Sequence, residues 1–212
     1  MIDSPFVSLS PSAARALVDA SSFKRLVAGA VVFADGDPGD SLILISSGLI
    51  AVQVAAGTEA PVTVALRGPG DLLGETALFA SSPRRTATAV ARSDAHLLAL
   101  DRDAFQSLRK SYEEVDDLFL RILAERSASL TRRLAERNQP SMVTLVHCLL
   151  SLPTEIRVPR SIVVGDLAGL TGLSETAVTE ALDEMKSRGW VETSAGSLIV
   201  DQPAIRAAAS LP

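Results

Sequence analysis

The sequence predicts an α+β chain in three parts: a roll of short strands, one long helix, and a helix-turn-helix closed by two strands. Three observations carry that reading. Short apolar runs punctuated by glycine fill residues 27 to 100. Residues 111 to 138 contain neither Gly nor Pro. Residues 164 to 185 show helical apolar spacing interrupted at Gly172. The expected boundaries are 1–110 for the strand domain, 111–138 for the long helix and 139–212 for the C-terminal domain.

Taken in order, Ser10-Pro11 opens a helix over residues 10 to 20, with a hydroxyl cap and proline in the first turn. Val31-Val32-Phe33, Ser41 to Ile45, Leu49 to Val54, Val62 to Leu66, Thr86 to Val90 and His96 to Leu100 read as strands. Short strands at such spacing suggest a small β-roll or jelly roll. A long helix is expected to start near Arg102 and to stop before Pro140. Leu120, Leu123, Ser127, Leu130 and Leu134 alternate spacings of three and four, which is a short heptad seam. Asn138-Gln139-Pro140-Ser141 reads as a hinge, and Met142 to Leu152 as a helix. Leu167, Leu170, Leu173, Val178, Leu182 and Met185 fit two helices packed across the Gly172 turn, with Ser174 capping the second. Gly189 to Glu192 and Ser197 to Val200 supply the two strands of a wing.

The bulk properties narrow the function classes. At 212 residues and 47% apolar composition the chain can bury a real core. Mean hydropathy is only +0.28, and no run approaches the ~18 apolar residues of a membrane span. The N-terminus lacks the basic start and apolar stretch of a signal peptide, so a cytoplasmic protein with no membrane partner is expected. Cys148 is the only cysteine, which excludes an intrachain disulfide and a cysteine-ligated iron–sulfur cluster within one chain. His96 and His147 lie in apolar segments and read as packed side chains rather than haem or metal ligands. No nucleophile–base pair, metal-ligand cluster or Walker-type loop is present, so no enzyme is expected.

Residues 70 to 89 carry most of the functional information. Gly74-Glu75 opens a short apolar turn, and Pro83-Arg84-Arg85-Thr86-Ala87-Thr88 follows. The order supplies a carboxylate, backbone N–H groups at a helix start, and a guanidinium with a hydroxyl beside it. Amides and an arginine suit one phosphate, and a carboxylate accepts from a sugar hydroxyl. A cyclic nucleotide has both groups close together.

This segment resembles the phosphate-binding cassette of cyclic-nucleotide-binding domains. The resemblance extends over nearly the whole chain to the catabolite-activator (CRP/FNR) family of bacterial transcription regulators. It implies Glu75 on the ribose 2′-hydroxyl and Arg85 on the cyclic phosphate. Thr86 would be the adjacent hydroxyl, and Gly74, Thr76 and Ala77 would lend backbone. Arg84 is a rival to Arg85, which is preferred because it directly precedes Thr86-Ala87. The ligand is cAMP or cGMP, with cAMP first on resemblance; Thr86 leans slightly the other way. A cyclic dinucleotide is a lesser option. No metal, haem or iron–sulfur cluster is expected. The resemblance also implies a homodimer through residues 111–138, whose hydroxyls Ser127, Ser129 and Thr131 reach the base. It implies double-stranded DNA as partner, and admits RNA polymerase as a further one.

The helix expected to enter the major groove departs from the family pattern. Arginine or lysine is usual near its start, whereas Glu175 and Glu180 stand at the matching positions here. Residues 141 to 212 hold five Lys/Arg against eight Asp/Glu, a net −3, so little counterion release would drive DNA binding. Two readings stay open. In one, Ser174, Glu175, Thr176, Thr179 and Glu180 touch bases or phosphates, and Lys186, Arg188, Arg157 and Arg160 touch backbone. In the other, the helix-turn-helix is a scaffold or protein-binding surface on a nucleotide-binding module.

Overall fold

The computed structural model describes residues 9–55, 57, 60–79, 83–135, 139–152, 155–156, 160–194 and 197–209. The chain divides into two compact units, residues 1–50 with 67–132 and residues 51–66 with 133–212.

In the first unit, α1 (Pro11–Asp19) starts where Ser10 accepts from the Ala13 amide at 3.2 Å, so one orphan donor of the first turn is satisfied. One antiparallel sheet runs β1-β8-β3-β6, formed by Ser22–Leu26, Ala95–Asp101, Ser41–Ser47 and Leu72–Leu73 respectively. The inner strand β3 buries Leu42, Ile43 and Ile45, whereas the edge strand β1 is mostly exposed. Strand β2 (Val31–Phe33) pairs antiparallel with β7 (Thr88–Ala91), while β4 (Ile50–Val54) and β5 (Val62–Arg67) fall almost wholly in the second unit. Between β6 and β7 lies the short helix α2 (Glu75–Phe79).

The helical part departs from the sequence expectation. One helix was expected from Arg102 onward; two are found, α3 (Arg102–Ser111) and α4 (Glu113–Ala135). Tyr112 between them is extended, with φ −138° and ψ 99°. Arg109 and Lys110 close α3, and Glu113, Glu114 and Asp116 open α4, so each terminus carries the charge its dipole favours. Arg109 reaches across the break to Asp116. Phe79, Phe105 and Phe119 meet with ring centroids 5.0–6.1 Å apart, joining α2, α3 and α4. Such pairs contribute ~0.5–1.5 kcal/mol each beyond area burial, which fixes α2 against the helices.

The second unit holds α5 (Ser141–Leu150), α6 (Arg160–Thr171) and α7 (Glu175–Ser187), then α8 (Gln202–Ala209). Its sheet runs β10-β11-β9, from Val191–Ser194, Ser197–Val200 and Glu155–Ile156. Gly172 takes φ +74° at the α6–α7 turn, and Ser174 accepts from the Ala177 amide at 3.2 Å. Leu145, Leu149, Leu167, Val178, Leu182 and Met185 form the buried centre. β9 and α8 were not read from the sequence. The β5 residue Thr63 belongs to this unit: its hydroxyl donates to Asp166 of α6 at 2.7 Å, and both side chains are buried. A Cβ on Gly169 would lie 2.8 Å from the Thr63 carbonyl oxygen, so α6 approaches β5 at backbone contact.

Of the expected hinge, Asn138 lies outside the described residues, and Pro140 occupies the N-cap position of α5. Among the described residues no helix is long and apolar enough to cross a membrane.

Candidate functional site

Gly74 ends β6 with φ +85°, a conformation that favours glycine, and turns the chain into α2. A Cβ here would lie 1.9 Å from Arg85 Nη1 and 2.9 Å from the Ser41 carbonyl oxygen. Glycine is therefore required twice, once by the backbone and once by the arginine packed against it.

Arg85 is only 4% exposed. Its amide donates to the Asp37 carbonyl and its carbonyl accepts from the Gly36 amide, both at 2.9 Å, which pins its backbone to the Gly36 turn. Nη1 donates to the Gly74 carbonyl at 3.3 Å, and Nη2 to Ser41 Oγ at 3.0 Å. The guanidinium carbon lies 4.4 Å from the centre of the Phe33 ring. Nε is buried and has no hydrogen-bond partner among the described residues. Burial pushes the arginine pKa down, and the charges of Asp40, Asp37 and Glu75 push it back up. The group remains a cation at neutral pH, because an arginine is not deprotonated in proteins. A buried, charged donor with unused capacity has a strong preference for an anion.

Glu75 opens α2 beside this arginine. Its carboxylate is mostly buried and accepts from Arg126 Nη1 of α4, while Arg126 Nη2 donates to the Leu72 carbonyl. Thus α4 grips both the cassette carboxylate and the strand leading into it.

The other expected ligand residues fall into two groups. Ala77 is buried and Thr76 exposed on α2. Arg84 and Arg85 part company: Arg84 is exposed and donates to the Gly36 carbonyl at 2.9 Å, while Arg85 turns inward. Thr86 is exposed. On α4, Ser127 and Thr131 are exposed and Ser129 half-buried, and the Thr131 hydroxyl donates to the Ser127 carbonyl at 3.1 Å. Leu120, Leu123 and Leu130 are exposed on this single chain; the Leu134 side chain lies outside the described residues.

On the expected recognition helix, Ser174, Glu175, Thr176, Glu180, Lys186 and Arg188 are exposed. Thr179 is half-buried and donates to the Glu175 carbonyl at 2.8 Å. Both bases already have partners. Lys186 donates to Thr193 Oγ1 at 3.0 Å, and Arg188 pairs with Glu184 over the Trp190 ring. Arg157 and the side chain of Arg160 lie outside the described residues.

Sequence reading missed Arg126, Phe33 and Ser41 as members of the site. For Arg126 a signal existed. Val115, Leu118, Phe119 and Ile122 form the buried stripe of α4, and Arg126 continues it four residues on. A charged residue on a core-facing stripe asks for a buried partner.

A model of the cyclic nucleotide-binding domain matches residues 23–112. The "CRP-like cAMP-activated global transcriptional regulator" of Mycobacterium tuberculosis is 29% identical over 204 residues, 92% of this chain and 91% of the relative. Among solved structures, the catabolite activator protein of Thermus thermophilus superposes with a TM-score of 0.55 at 27% identity, covering 96% of each chain. The "Cyclic AMP receptor protein" of Thermus thermophilus is 31% identical over 180 residues, 84% of this chain and 82% of its own. With likeness of that extent over both units, the chain belongs to the CRP/FNR family of transcription regulators, which are not enzymes.

Proposed function

We propose that this protein is a homodimeric regulator whose first unit binds a cyclic nucleotide and whose second unit binds DNA under its control. The observation that carries the reading is Arg85: a buried cation whose Nε has no partner among the described residues. An anion is the partner that such a cation prefers. Arg85 would hold the cyclic phosphate and Glu75 the ribose 2′-hydroxyl, with Gly74, Thr76 and Ala77 lending backbone. Arg84 and Thr86 stand at the surface beside it. cAMP is the first choice, in line with the names of the relatives, and cGMP the alternative.

The hold of Arg126 on Glu75 supplies a route for the signal. A ribose hydroxyl on Glu75 must join or displace a guanidinium that belongs to α4. Ligand binding is thereby coupled to the helix that carries the exposed leucine seam. Leu120, Leu123 and Leu130 would face a second copy, with Ser127 and Ser129 on or near that seam and Thr131 one turn on. The ligand shifts the dimer only by its difference in affinity for the two arrangements. Two recognition helices about 34 Å apart would then meet successive major grooves.

A second reading has its own support. The α7 helix presents Glu175, Glu180, Asp183 and Glu184, and its bases Lys186 and Arg188 are engaged inside the unit. On that reading α7 binds a protein instead of DNA. A gel shift at low salt on random and palindromic duplexes, with and without cAMP and cGMP, separates the two. Ligand-enhanced binding to either duplex supports the DNA reading. Nucleotide retention in dialysis with no shift of any duplex supports the protein reading, and no retention of either nucleotide removes the sensor.

A further inference from the structure

We propose that Phe33 and Ser41 are positioning residues that hold Arg85 ready for an anion before any ligand arrives. The inference rests on the cyclic-nucleotide reading of Arg85 and names what gives that arginine its geometry.

Phe33 does not sit where regular strand geometry would put it. In a regular strand residues 31 and 33 share a face. Val31 is 55% exposed, while Phe33 is half-buried with its ring on a buried guanidinium. The register explains the difference: Val31 is opposite Val90, but Phe33 is opposite Ala89, so two residues of β2 span one step of β7. A bulge of this kind re-aims a side chain and is frequent beside binding sites. Here it turns an aromatic ring off the outer face and onto Arg85.

The guanidinium carbon lies over the ring, a contact that gains strength when water is excluded. Ser41 at the start of β3 takes one N–H of Nη2, and the Gly74 carbonyl takes one of Nη1. Of five N–H donors, two are thus spent on fixing the plane and its rotation. Among the described residues, nothing accepts from Nε or from the second hydrogen on each terminal nitrogen. An arginine locked this way loses little rotamer freedom when it binds an oxyanion, and its edge keeps the fork geometry that two oxygens need. A lysine at position 85 could not use the same cradle.

The test has two arms on the full-length protein. In the ligand-free arm, NMR relaxation of the Arg85 Nε–H group reads side-chain order directly. Wild type and Phe33→Tyr should be rigid; Phe33→Leu and Ser41→Ala should be mobile. In the binding arm, calorimetry with cAMP and cGMP should give about tenfold weaker affinity for Phe33→Leu and about threefold for Ser41→Ala, with near wild-type affinity for Phe33→Tyr, as expected of a desolvated cation–π contact and one neutral acceptor. Replacing Phe33 by mono-, di- and trifluorophenylalanine keeps its shape and weakens the ring's field. Affinity should fall stepwise along that series while the thermal midpoint stays put, a readout that space-filling alone would not move. An Arg85 equally rigid in Phe33→Leu, or affinity indifferent to fluorination in a wild type that binds, overturns the proposal. If wild type binds neither nucleotide, the sensor reading falls, and the order of Arg85 still decides the positioning role.

Discussion

Arg85 in the first unit and the Thr63–Asp166 pair in the second are the buried polar side chains among the described residues, and they are finished differently. Thr63 donates to Asp166 and accepts from Gln53 Nε2 at 3.2 Å, so a hydroxyl with one donor uses it inside the protein. Arg85 uses two of its donors on Gly74 and Ser41 and leaves Nε with none. Burying a polar group costs free energy unless it is paired. Where the pairing is complete, the polar group holds α6 to β5. Where it is incomplete on a cation, the remaining capacity is what the proposed function assigns to a ligand. The difference sets an architectural pair apart from the proposed binding group by their own hydrogen bonds.

Substitutions on the two sides of this comparison should therefore act on different quantities. The largest effect is expected from Gly74→Ala. The new Cβ meets both a positive φ and Arg85 Nη1 at 1.9 Å, so the arginine must leave its place. Nucleotide affinity should fall about 100-fold, the equivalent of one or two lost charge-assisted hydrogen bonds, and calorimetry reads it. Asp166→Ala should do the reverse. It leaves the Thr63 hydroxyl buried without its acceptor, at a cost of ~1–3 kcal/mol, visible as a lower urea midpoint with nucleotide affinity unchanged. A change of affinity comparable to that of Gly74→Ala would break the distinction. Ser174→Ala removes the cap from α7 and should cost ~1 kcal/mol, read by the same unfolding curves and again silent in nucleotide binding. The smallest effect concerns DNA. Glu180→Lys adds a base to the exposed face of α7, and the slope of log affinity against log salt should steepen by about one per new phosphate contact. An unchanged slope would favour the protein-binding reading of that helix.

Much of the fold was legible because local chemistry and tertiary structure agree. Ser10-Pro11 and Ser174 cap the helices they were expected to cap, and Gly172 takes the left-handed turn between α6 and α7. The parts not read lack a local signal. Strand β1 (Ser-Phe-Lys-Arg-Leu) is almost wholly exposed and exists through its ladder to β8, which no periodicity in five residues announces. The two-residue strands β6 and β9 are likewise defined by partners. The break at Tyr112 has no Gly or Pro, but the switch from Arg109-Lys110 to Glu113-Glu114 on either side is the dipole signature of one helix ending and another beginning. At the candidate site, the residue types proposed to meet a ligand are visible in residues 74 to 86 themselves. Phe33, Ser41 and Arg126 come from 44 to 52 positions away in sequence from the Arg85 or Glu75 side chain that each holds. Their roles follow from a bulge, a strand start and a helix stripe, which only the folded chain brings together.

The proposed function makes Arg85 the anchor of a cyclic-nucleotide site. Calorimetric titration of wild type and Arg85→Ala with cAMP and cGMP tests it most directly. Wild type should bind one of the two with micromolar affinity, weakened at least about 100-fold in Arg85→Ala, with the thermal midpoint of the variant no lower than that of Asp166→Ala. Equal affinity in wild type and variant, or no heat from wild type with either nucleotide, would contradict it.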